Sequence, residues 1–370
     1  LTLGLYFVAS GLTALATGMA SLLVFRFAAG AGIGGEYAAI NSAIDELIPA
    51  RVRGFVDLAI NGSYWIGVAL GAGLTLVLLD ATLVPISLGW RMAFGFGAIL
   101  GLAIMVVRRD MPESPRWLLT HGYVTEAHET TADIETRVGA PAGAFEPVAI
   151  HVFGPIGTQH LLRTLFVRYW RRTVLGISLM LSQAFLYNAI FFSYALILER
   201  FHDVERDHVG VYIVPFAAGN FLGPLLLGRY FDRWGRRVMI PATYAVSGLL
   251  LTATGVLFLE GWLDALTQTL AWSLVFFFAS AAASSAYLTV SELFPVELRG
   301  MAIAVFYAFG TLVGAAAPTL FGMIVEDGSP LELFEGYVLA SVLMIGAAIV
   351  ARVFGVDAEG RSLESLTADH

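Results

Sequence analysis

The chain contains no cysteine and no lysine, and charged residues make up only 14% of its 370 positions. Without cysteine it can form neither disulfides nor thiolate metal sites. All 21 basic residues are arginine, and the 29 acidic residues that outnumber them give a net charge of −8. Nucleic acids require a basic surface, so we expect no nucleic-acid partner.

Apolar sequence, in contrast, is abundant, with 58% of the residues hydrophobic. It is arranged in runs long enough to cross a bilayer, which takes about 20 residues. The runs lack the alternation of a membrane β-barrel, so helices satisfy their backbone groups best. Ten runs are predicted, near residues 1–18, 21–47, 55–79, 88–107, 171–198, 209–228, 238–259, 268–290, 301–324 and 333–354. The expected class is an all-α, polytopic membrane protein.

Arginine is distributed unevenly between the connections of these runs. If successive helices alternate in direction, one set of connections holds 17 arginines and the other holds Arg91, Arg200 and Arg206, with Arg26 inside a helix. Cytoplasmic loops are the arginine-rich ones. We therefore predict a multi-pass protein of the cell membrane whose arginine-rich side and C-terminus face the cytoplasm.

An internal repeat connects the two halves of the chain. Residues 45–49 read Asp-Glu-Leu-Ile-Pro, followed by Arg53 and Gly54, and 246 positions later 291–295 read Ser-Glu-Leu-Phe-Pro, followed by Arg299 and Gly300. Parallel repeats are typical of transporters. The first copy follows two helices, whereas the second follows the fourth helix of its half. We therefore expect two further helices before Leu1, hence twelve in two bundles, of which ten are present.

Three further motifs point to one family. Residues 228–237 read Gly-Arg-Tyr-Phe-Asp-Arg-Trp-Gly-Arg-Arg, 112–118 read Pro-Glu-Ser-Pro-Arg-Trp-Leu, and 360–364 read Gly-Arg-Ser-Leu-Glu. With the repeat, they resemble the signatures of the major facilitator superfamily, sugar-porter-like branch. The resemblance implies two pseudo-symmetric bundles, with these divisions: an N-terminal bundle at 1–108, a cytoplasmic linker with helices at 109–170, a C-terminal bundle at 171–355 and a cytoplasmic tail at 356–370.

The resemblance also implies a function. It is secondary active transport of a small organic solute, a sugar, organic acid or organic ion, by alternating access coupled to protons. We expect a monomer in the lipid bilayer without metal or cofactor, and no enzyme, because H-E-x-x-H and G-x-S-x-G are absent. The alternative is a transporter-like nutrient sensor or receptor, which would keep the fold without coupled transport.

Alternating access needs a gate that opens and closes, which favours several modest charge pairs over one permanent pair. By resemblance, a charge network across the two bundles holds the outward-facing state. The alternative is that these charges only terminate helices and set the topology. The predicted gating residues are Glu46, Arg53, Glu113, Arg116, Asp232, Arg233, Arg236, Glu292 and Arg299.

Two ionisable residues lie inside the second apolar run. A charge at mid-bilayer costs about 2.5–3.5 kcal/mol on insertion scales, so each is expected to be functional. Arg26 precedes Glu46 by 20 residues, and in proton-coupled sugar porters an arginine at this spacing pairs with an acid on the first helix. Glu36 is a candidate proton carrier, a counter-ion for a cationic solute, or one partner of a structural pair.

The run from 171 carries the best candidates for solute contacts. Gln183 and Asn188 resemble the amides of the sugar porters' Gln-Gln-x-x-Gly-x-Asn motif, which hold substrate hydroxyls. Ser182 and Leu186 depart from that motif, and these departures favour organic ions or carboxylates over hexoses. Further candidates are Tyr187, Asn61, Asn220 and Tyr287. A buried amide can also simply bond a neighbouring helix.

Overall fold

The computed structural model describes residues 2–80, 82–108, 112–139, 158–205 and 208–361. These residues form helices and no strand. The helices are α1 (Thr2–Ala14), α2 (Met19–Leu47), α3 (Arg53–Leu78), α4 (Ile86–Arg108), α5 (Pro115–Thr120), α6 (Val124–Val138), α7 (Thr158–Arg163), α8 (Trp170–Phe191), α9 (Tyr194–His202), α10 (Val209–Arg233), α11 (Arg236–Leu259), α12 (Ala265–Leu293), α13 (Val296–Gly314), α14 (Ala316–Asp327) and α15 (Pro330–Phe354). A π-helical turn at Thr164–Arg168 leads from α7 towards α8.

The ten predicted apolar runs coincide with α1, α2, α3, α4, α8, α10, α11, α12, α13 with α14, and α15. Eight segments of the described helices are long and apolar enough to cross a membrane. The other two runs differ from them: α1 has 13 residues, and α2 carries charged residues within its 29 positions. The all-α membrane class is confirmed.

The helices pack as two groups that share a long contact. In the first group, α1 packs against α2 and α4, and α3 packs against α4. In the second group, α8 packs against α12, α13 and α15, and α11 against α12 and α15. The groups meet where α3 lies along α10 and where α2 contacts α13. The domain limits given above remain a prediction.

Helix α12 is central to the second group. In its most apolar stretch 78% of the residues are buried. A helix that is apolar on all sides belongs in an interior, where its polar groups must be satisfied locally. Its hydroxyls do this by donating to carbonyls one turn back, as Ser284 does to Ser280 (2.9 Å) and Thr289 to Ser285 (2.6 Å). Small polar residues thereby enter the membrane at little cost.

Two spanning segments are interrupted. Between α8 and α9 the chain leaves the helix at Phe192 and Ser193, and the Ser193 hydroxyl donates to the Ala189 carbonyl. Between α13 and α14 the helix breaks at Ala315, and Pro318 follows in the first turn of α14. Proline lacks the backbone N–H that would continue the ladder. Interrupted helices in transporters line cavities, because the freed backbone groups need polar surroundings.

Outside the spanning segments, the predicted linker at 109–170 contains the helices α5, α6 and α7. Ser114 begins α5 by accepting a hydrogen bond from the backbone N of Trp117 (3.1 Å). Pro115 occupies the first helical position, where its missing N–H is not needed. The first turn of α5 is therefore stabilised by residues next to it in the sequence.

Candidate functional site

Four charged side chains meet where α3 begins, α10 ends, α11 begins and α12 ends. We call this set, Arg53, Asp232, Arg236 and Glu292, the charge cluster. Nε and Nη2 of Arg236 donate to Oε2 and Oε1 of Glu292 over 3.1 and 3.0 Å. These two side chains are 2% and 1% exposed. A buried bidentate pair depends on both partners, because either charge alone would be poorly solvated.

Asp232 joins the two helix groups through the backbone of α3. Its Oδ1 accepts from the N of Gly54 (3.0 Å), and its Oδ2 accepts from the N of Phe55 (2.8 Å). The residue before α3, Val52, makes no side-chain cap. The end of α10 thus supplies the carboxylate that stabilises the free amides and the positive dipole end of α3. A Cβ on Gly54 would lie 2.6 Å from Oδ1 of Asp232, so a side chain there would displace the carboxylate.

The other members of the cluster alternate in sign. Nη1 of Arg53 lies 3.5 Å from Oε1 of Glu292. Nη1 of Arg236 donates to Oδ1 of Asp232 (2.9 Å) and to the carbonyl of Phe231 (2.8 Å). The four side chains contact one another in the order Asp232, Arg236, Glu292, Arg53. These contacts connect α3 of the first group to α10, α11 and α12. We call the end of the helices that holds this cluster the arginine-rich end.

The remaining predicted gating residues differ in position. Arg299, at the start of α13, is 1% exposed. Arg233 is exposed on the last turn of α10, and Glu113 is exposed just before α5. Arg116 is half-buried in α5. The side chain of Glu46 lies outside the described residues. The gating role of all five stays a prediction.

The segment after α15 folds back onto the charge cluster. Oε2 of Glu359 accepts from the backbone N of Arg236 (3.3 Å), and Asp357 lies 3.9 Å from Arg237. Gly235, with φ +87, turns the chain between α10 and α11, and a Cβ there would meet Oε1 of Glu359 at 2.5 Å. The tail therefore completes the capping of α11 as Asp232 caps α3. Residues 362–364 of the tail motif lie outside the described residues.

A cavity of about 390 Å³ lies between the two helix groups. Five of the six predicted solute contacts line it: Asn61, Gln183, Tyr187, Asn188 and Tyr287. They come from α3, α8 and α12, so the cavity is shared by both groups. The volume falls within the 300–1,000 Å³ of typical small-molecule sites.

The sixth candidate, Asn220, supports a lining residue from behind. It is 0% exposed, its Oδ1 accepts from the Tyr187 hydroxyl (2.8 Å), and its Nδ2 donates to the Phe216 carbonyl (2.9 Å). Both polar ends of the amide are thus used within the protein. Asn220 orients Tyr187 and does not line the cavity.

We expect Tyr187→Phe to lower the thermal stability of the purified protein. The substitution leaves Oδ1 of the buried Asn220 without its donor, which costs about 1–3 kcal/mol. The melting temperature in detergent measures the effect. Tyr123→Phe is the control, because Tyr123 is 49% exposed in the linker. Equal melting temperatures for the two variants would contradict the bridging role of Tyr187.

Aromatic side chains form much of the lining of the cavity. Of these, only Tyr187 and Tyr287 were predicted from the sequence. Tyr37 on α2 stacks on Tyr287 at 5.3 Å and on Tyr307 at 5.5 Å between ring centroids. Trp65 on α3 lies 5.8 Å from Tyr187 and 5.4 Å from Phe191. The rings thus bridge the two helix groups. The sequence offered one indication that an aromatic residue lines the cavity: Trp65 follows the predicted contact Asn61 by four residues and therefore lies on the same face of the helix.

The two predicted coupling residues, Arg26 and Glu36, lie in different places in the structure. Arg26 lines the cavity, with its Cζ 5.3 Å from the ring centroid of Phe94. Glu36 faces α1, where its Oε1 accepts from the Thr2 hydroxyl (2.6 Å). Glu36 is not among the described lining residues of the cavity. Coupling remains a prediction for both.

The sequence matches the family described as sugar (and other) transporter over residues 1–369. The chain belongs to this family. Members transport solutes, so the protein is a multi-pass membrane transporter of the major facilitator type and not an enzyme.

The names of similar proteins give different solutes. The niacin transporter NiaP of Acinetobacter baylyi is 26% identical over 99% of this chain and 80% of its own length. Myo-inositol transporter 2 of Schizosaccharomyces pombe is 28% identical over 90% of this chain and 63% of its own length.

The fold of the family is also present among solved structures. The major facilitator proton:xylose symporter XylE bound to 6-bromo-6-deoxy-D-glucose matches 99% of this chain and 81% of its own. The TM-score is 0.77 at 19% identity, which supports the fold. The predicted major facilitator fold is confirmed.

Proposed function

We propose that this transporter moves a small organic solute across the cell membrane by alternating access, in symport with protons. The observation that carries the proposal is the cavity shared by two helix groups whose contact at one end runs through the charge cluster. The proposal places the arginine-rich end and the C-terminus on the cytoplasmic side, following the distribution of arginine. The transporter is proposed to act as a monomer in the bilayer.

The charge cluster is proposed to be the cytoplasmic gate. In the described structure Asp232 and Glu292 contact the start of α3, and we propose that these contacts belong to a state in which the arginine-rich end is closed. Opening separates these carboxylates from α3 and admits water, which replaces the lost hydrogen bonds. Desolvation offsets much of the Coulombic gain of a buried ion pair, so each pair contributes a modest net free energy, and the gate can break and re-form within a transport cycle.

Gln183, Asn188, Asn61 and Tyr287 are proposed to contact the solute. Each lines the cavity. A solute that replaces water at these groups is held by a few placed polar side chains among apolar ones, as in most small-molecule sites.

We expect Gln183→Ala to raise the apparent KM for the transported solute about tenfold. One lost hydrogen bond to a neutral side chain is worth about 0.5–1.5 kcal/mol, and 1.4 kcal/mol is a factor of ten. The initial uptake rate against solute concentration measures it. Gln159→Ala is the control, because Gln159 is exposed in α7. An unchanged KM would remove Gln183 from the site.

Arg26 and Glu36 are the proposed coupling residues, and Glu36→Gln tests the second. If Glu36 carries the proton, the variant loses uptake driven by a pH gradient but keeps solute exchange between equally loaded compartments, because exchange moves no net proton. Glu205→Gln, on an exposed loop, controls for the loss of one carboxylate. Gradient-driven uptake equal to that of the unchanged protein would show that the proton travels elsewhere.

Reconstitution of the full chain into liposomes tests the function itself. An inward proton gradient is imposed, and uptake of labelled sugars, organic acids and organic ions is followed. Accumulation above the external concentration that collapses with a protonophore is the expected result. Saturable binding without accumulation would instead identify the sensor, which binds but does not transport.

A further inference from the structure

Asn41, on α2, is a buried amide that was not predicted as a site from the sequence. It is 0% exposed and is not among the described lining residues of the cavity. Its Nδ2 donates to the Tyr37 carbonyl one turn back (2.8 Å), and its Oδ1 accepts from Nδ2 of Asn61 on α3 (3.1 Å). An apolar residue would fill this place without the cost of burying an amide. The contact with Asn61 is therefore what an amide adds here.

Two hydrogen bonds fix the orientation of the Asn61 amide. Its Nδ2 donates one hydrogen to Oδ1 of Asn41 and the other to the Asp57 carbonyl, one turn back on α3 (3.0 Å). The two ends of an amide have the same shape, so its partners determine which end is the nitrogen. A backbone carbonyl can only accept, so the nitrogen of Asn61 faces the Asp57 carbonyl. The Tyr37 carbonyl fixes the nitrogen of Asn41 in the same way.

Because both hydrogens of its nitrogen are used, the Asn61 amide offers its oxygen to the solute. Asn61 lines the cavity, and none of the described residues donates to its Oδ1. A carbonyl oxygen has two lone pairs and accepts from hydroxyl and N–H groups. This part of the cavity wall therefore presents an acceptor, and a hydroxyl or N–H group of the solute is its complement.

We propose that Asn41 is a positioning residue, which holds the Asn61 amide with its oxygen directed to the solute. The inference rests on the proposed function and deepens it by adding a residue behind the cavity wall. Asn220 has the same relation to Tyr187 in the second helix group. Each of the two groups thus contains a buried asparagine behind a polar residue of the lining.

Asn41→Leu removes the acceptor and leaves one N–H of Asn61 unpaired. An unpaired buried donor is costly, so the amide turns its nitrogen towards the cavity to regain a partner. A donor group of the solute then meets a donor in place of the oxygen. We expect the apparent KM to rise about two- to tenfold, the value of one hydrogen bond between neutral groups. Asn41→Asp keeps an acceptor oxygen in the place of Oδ1 and should restore most of the affinity.

Uptake by liposomes that contain the full chain tests the positioning role. Labelled D-glucose, myo-inositol, L-proline and nicotinate are offered under an inward proton gradient, and the KM of the solute that accumulates is measured. The variants are Asn41→Leu, Asn61→Leu and the double variant. We expect the double variant to have the KM of Asn61→Leu alone, because residues that act as a unit have non-additive effects.

Gln268→Leu is the matched control for the loss of a buried amide. Gln268, on α12, is 0% exposed and is not among the described lining residues, so its KM should equal that of the unchanged protein. Melting temperatures of the purified variants report folding. If Asn41→Leu does not fold, Asn41→Val, which is smaller and equally unable to accept, takes its place.

A merely structural Asn41 gives a different result from a positioning residue. Poor packing lowers the melting temperature and the number of active transporters, so the maximal rate falls while KM stays the same. An unchanged KM in Asn41→Leu would overturn the positioning role. Effects on KM that multiply in the double variant, or a folded Asn41→Asp with the KM of Asn41→Leu, would also overturn it.

Failure of the inference can be distinguished from failure of the proposed function. If a solute accumulates but Asn61→Leu leaves its KM unchanged, Asn61 is not a solute contact, and the positioning role of Asn41 falls while transport stands. If no solute accumulates although the protein is folded and inserted, the proposed function itself fails, and the positioning role fails with it.

Discussion

Glu292→Gln is expected to open the arginine-rich end of the transporter and to abolish most of its accumulation of solute. The substitution leaves the guanidinium groups of Arg236 and Arg53, both nearly buried, next to a neutral amide. Removal of one partner from a buried ion pair costs about 3–5 kcal/mol, because the remaining charge stays out of water. That cost applies only to the closed state, so the balance shifts towards a state in which water reaches the arginines.

The absence of cysteine makes this shift measurable. Ala283 lines the cavity, so Ala283→Cys introduces one thiol there in a chain that has no other. We expect a membrane-impermeant maleimide, applied from the arginine-rich side, to react at least about ten times faster when Glu292→Gln is also present, since 1.4 kcal/mol is a factor of ten.

Asp133→Asn is the matched control for the removal of an acid from an ion pair. Asp133 lies 2.9 Å from Arg137, but these side chains are 53% and 71% exposed. Exposed pairs contribute about 0–1 kcal/mol, so labelling and uptake should not change. Equal labelling rates with and without Glu292→Gln would show that the charge cluster does not hold this end closed.

Gly54→Ala is expected to separate the two helix groups at the same end by a steric route. The added Cβ would lie 2.6 Å from Oδ1 of Asp232 and 3.0 Å from Nη2 of Arg236. Asp232 would have to retreat and would lose its hydrogen bonds to the start of α3. Overpacking and a lost charge-assisted hydrogen bond together cost roughly 2–4 kcal/mol.

Gly67→Ala provides the control on the same helix. A Cβ on Gly67 meets nothing within 4 Å, so alanine should be tolerated there or should slightly stabilise α3. Uptake rate and labelling of Ala283→Cys are measured for both variants. We expect uptake to fall at least about tenfold for Gly54→Ala only, and similar behaviour of the two variants would contradict the role of Asp232 as the cap of α3.

Sequence reasoning located the charge cluster through the spacing of its motifs. Arg53 and Glu292 belong to the internal repeat, in which their counterparts are Arg299 and Glu46. Asp232 and Arg236 belong to an arginine-rich turn. Asp232 and Arg236 are neighbours within that turn, but the partners of Asp232 on α3 were not predictable. Asp232 bonds backbone amides of Gly54 and Phe55, and backbone groups leave no signature in a sequence.

The sequence predicted the polar residues of the cavity but not most of its aromatic residues. Gln183 and Asn188 stand out because they resemble a sugar-porter motif and are amides within an apolar run. Tyr37, Tyr64 and Tyr307 do not stand out, because an aromatic residue on an apolar helix faces lipid, core or cavity with equal ease. Asn220 has the polarity of a contact residue but supports Tyr187 from behind.

The sequence by itself determined that the protein is helical, crosses the membrane many times and consists of two similar halves. The length of the apolar runs, the uneven distribution of arginine and the spacing of the internal repeat are properties of the chain alone. Only the tertiary structure decided which charges meet and which side chains line the cavity. Some of those contacts join residues more than a hundred positions apart, such as Arg53 and Glu292, and they depend on how α3 lies along α10. Helix rotation and packing, which no local pattern specifies, set that arrangement.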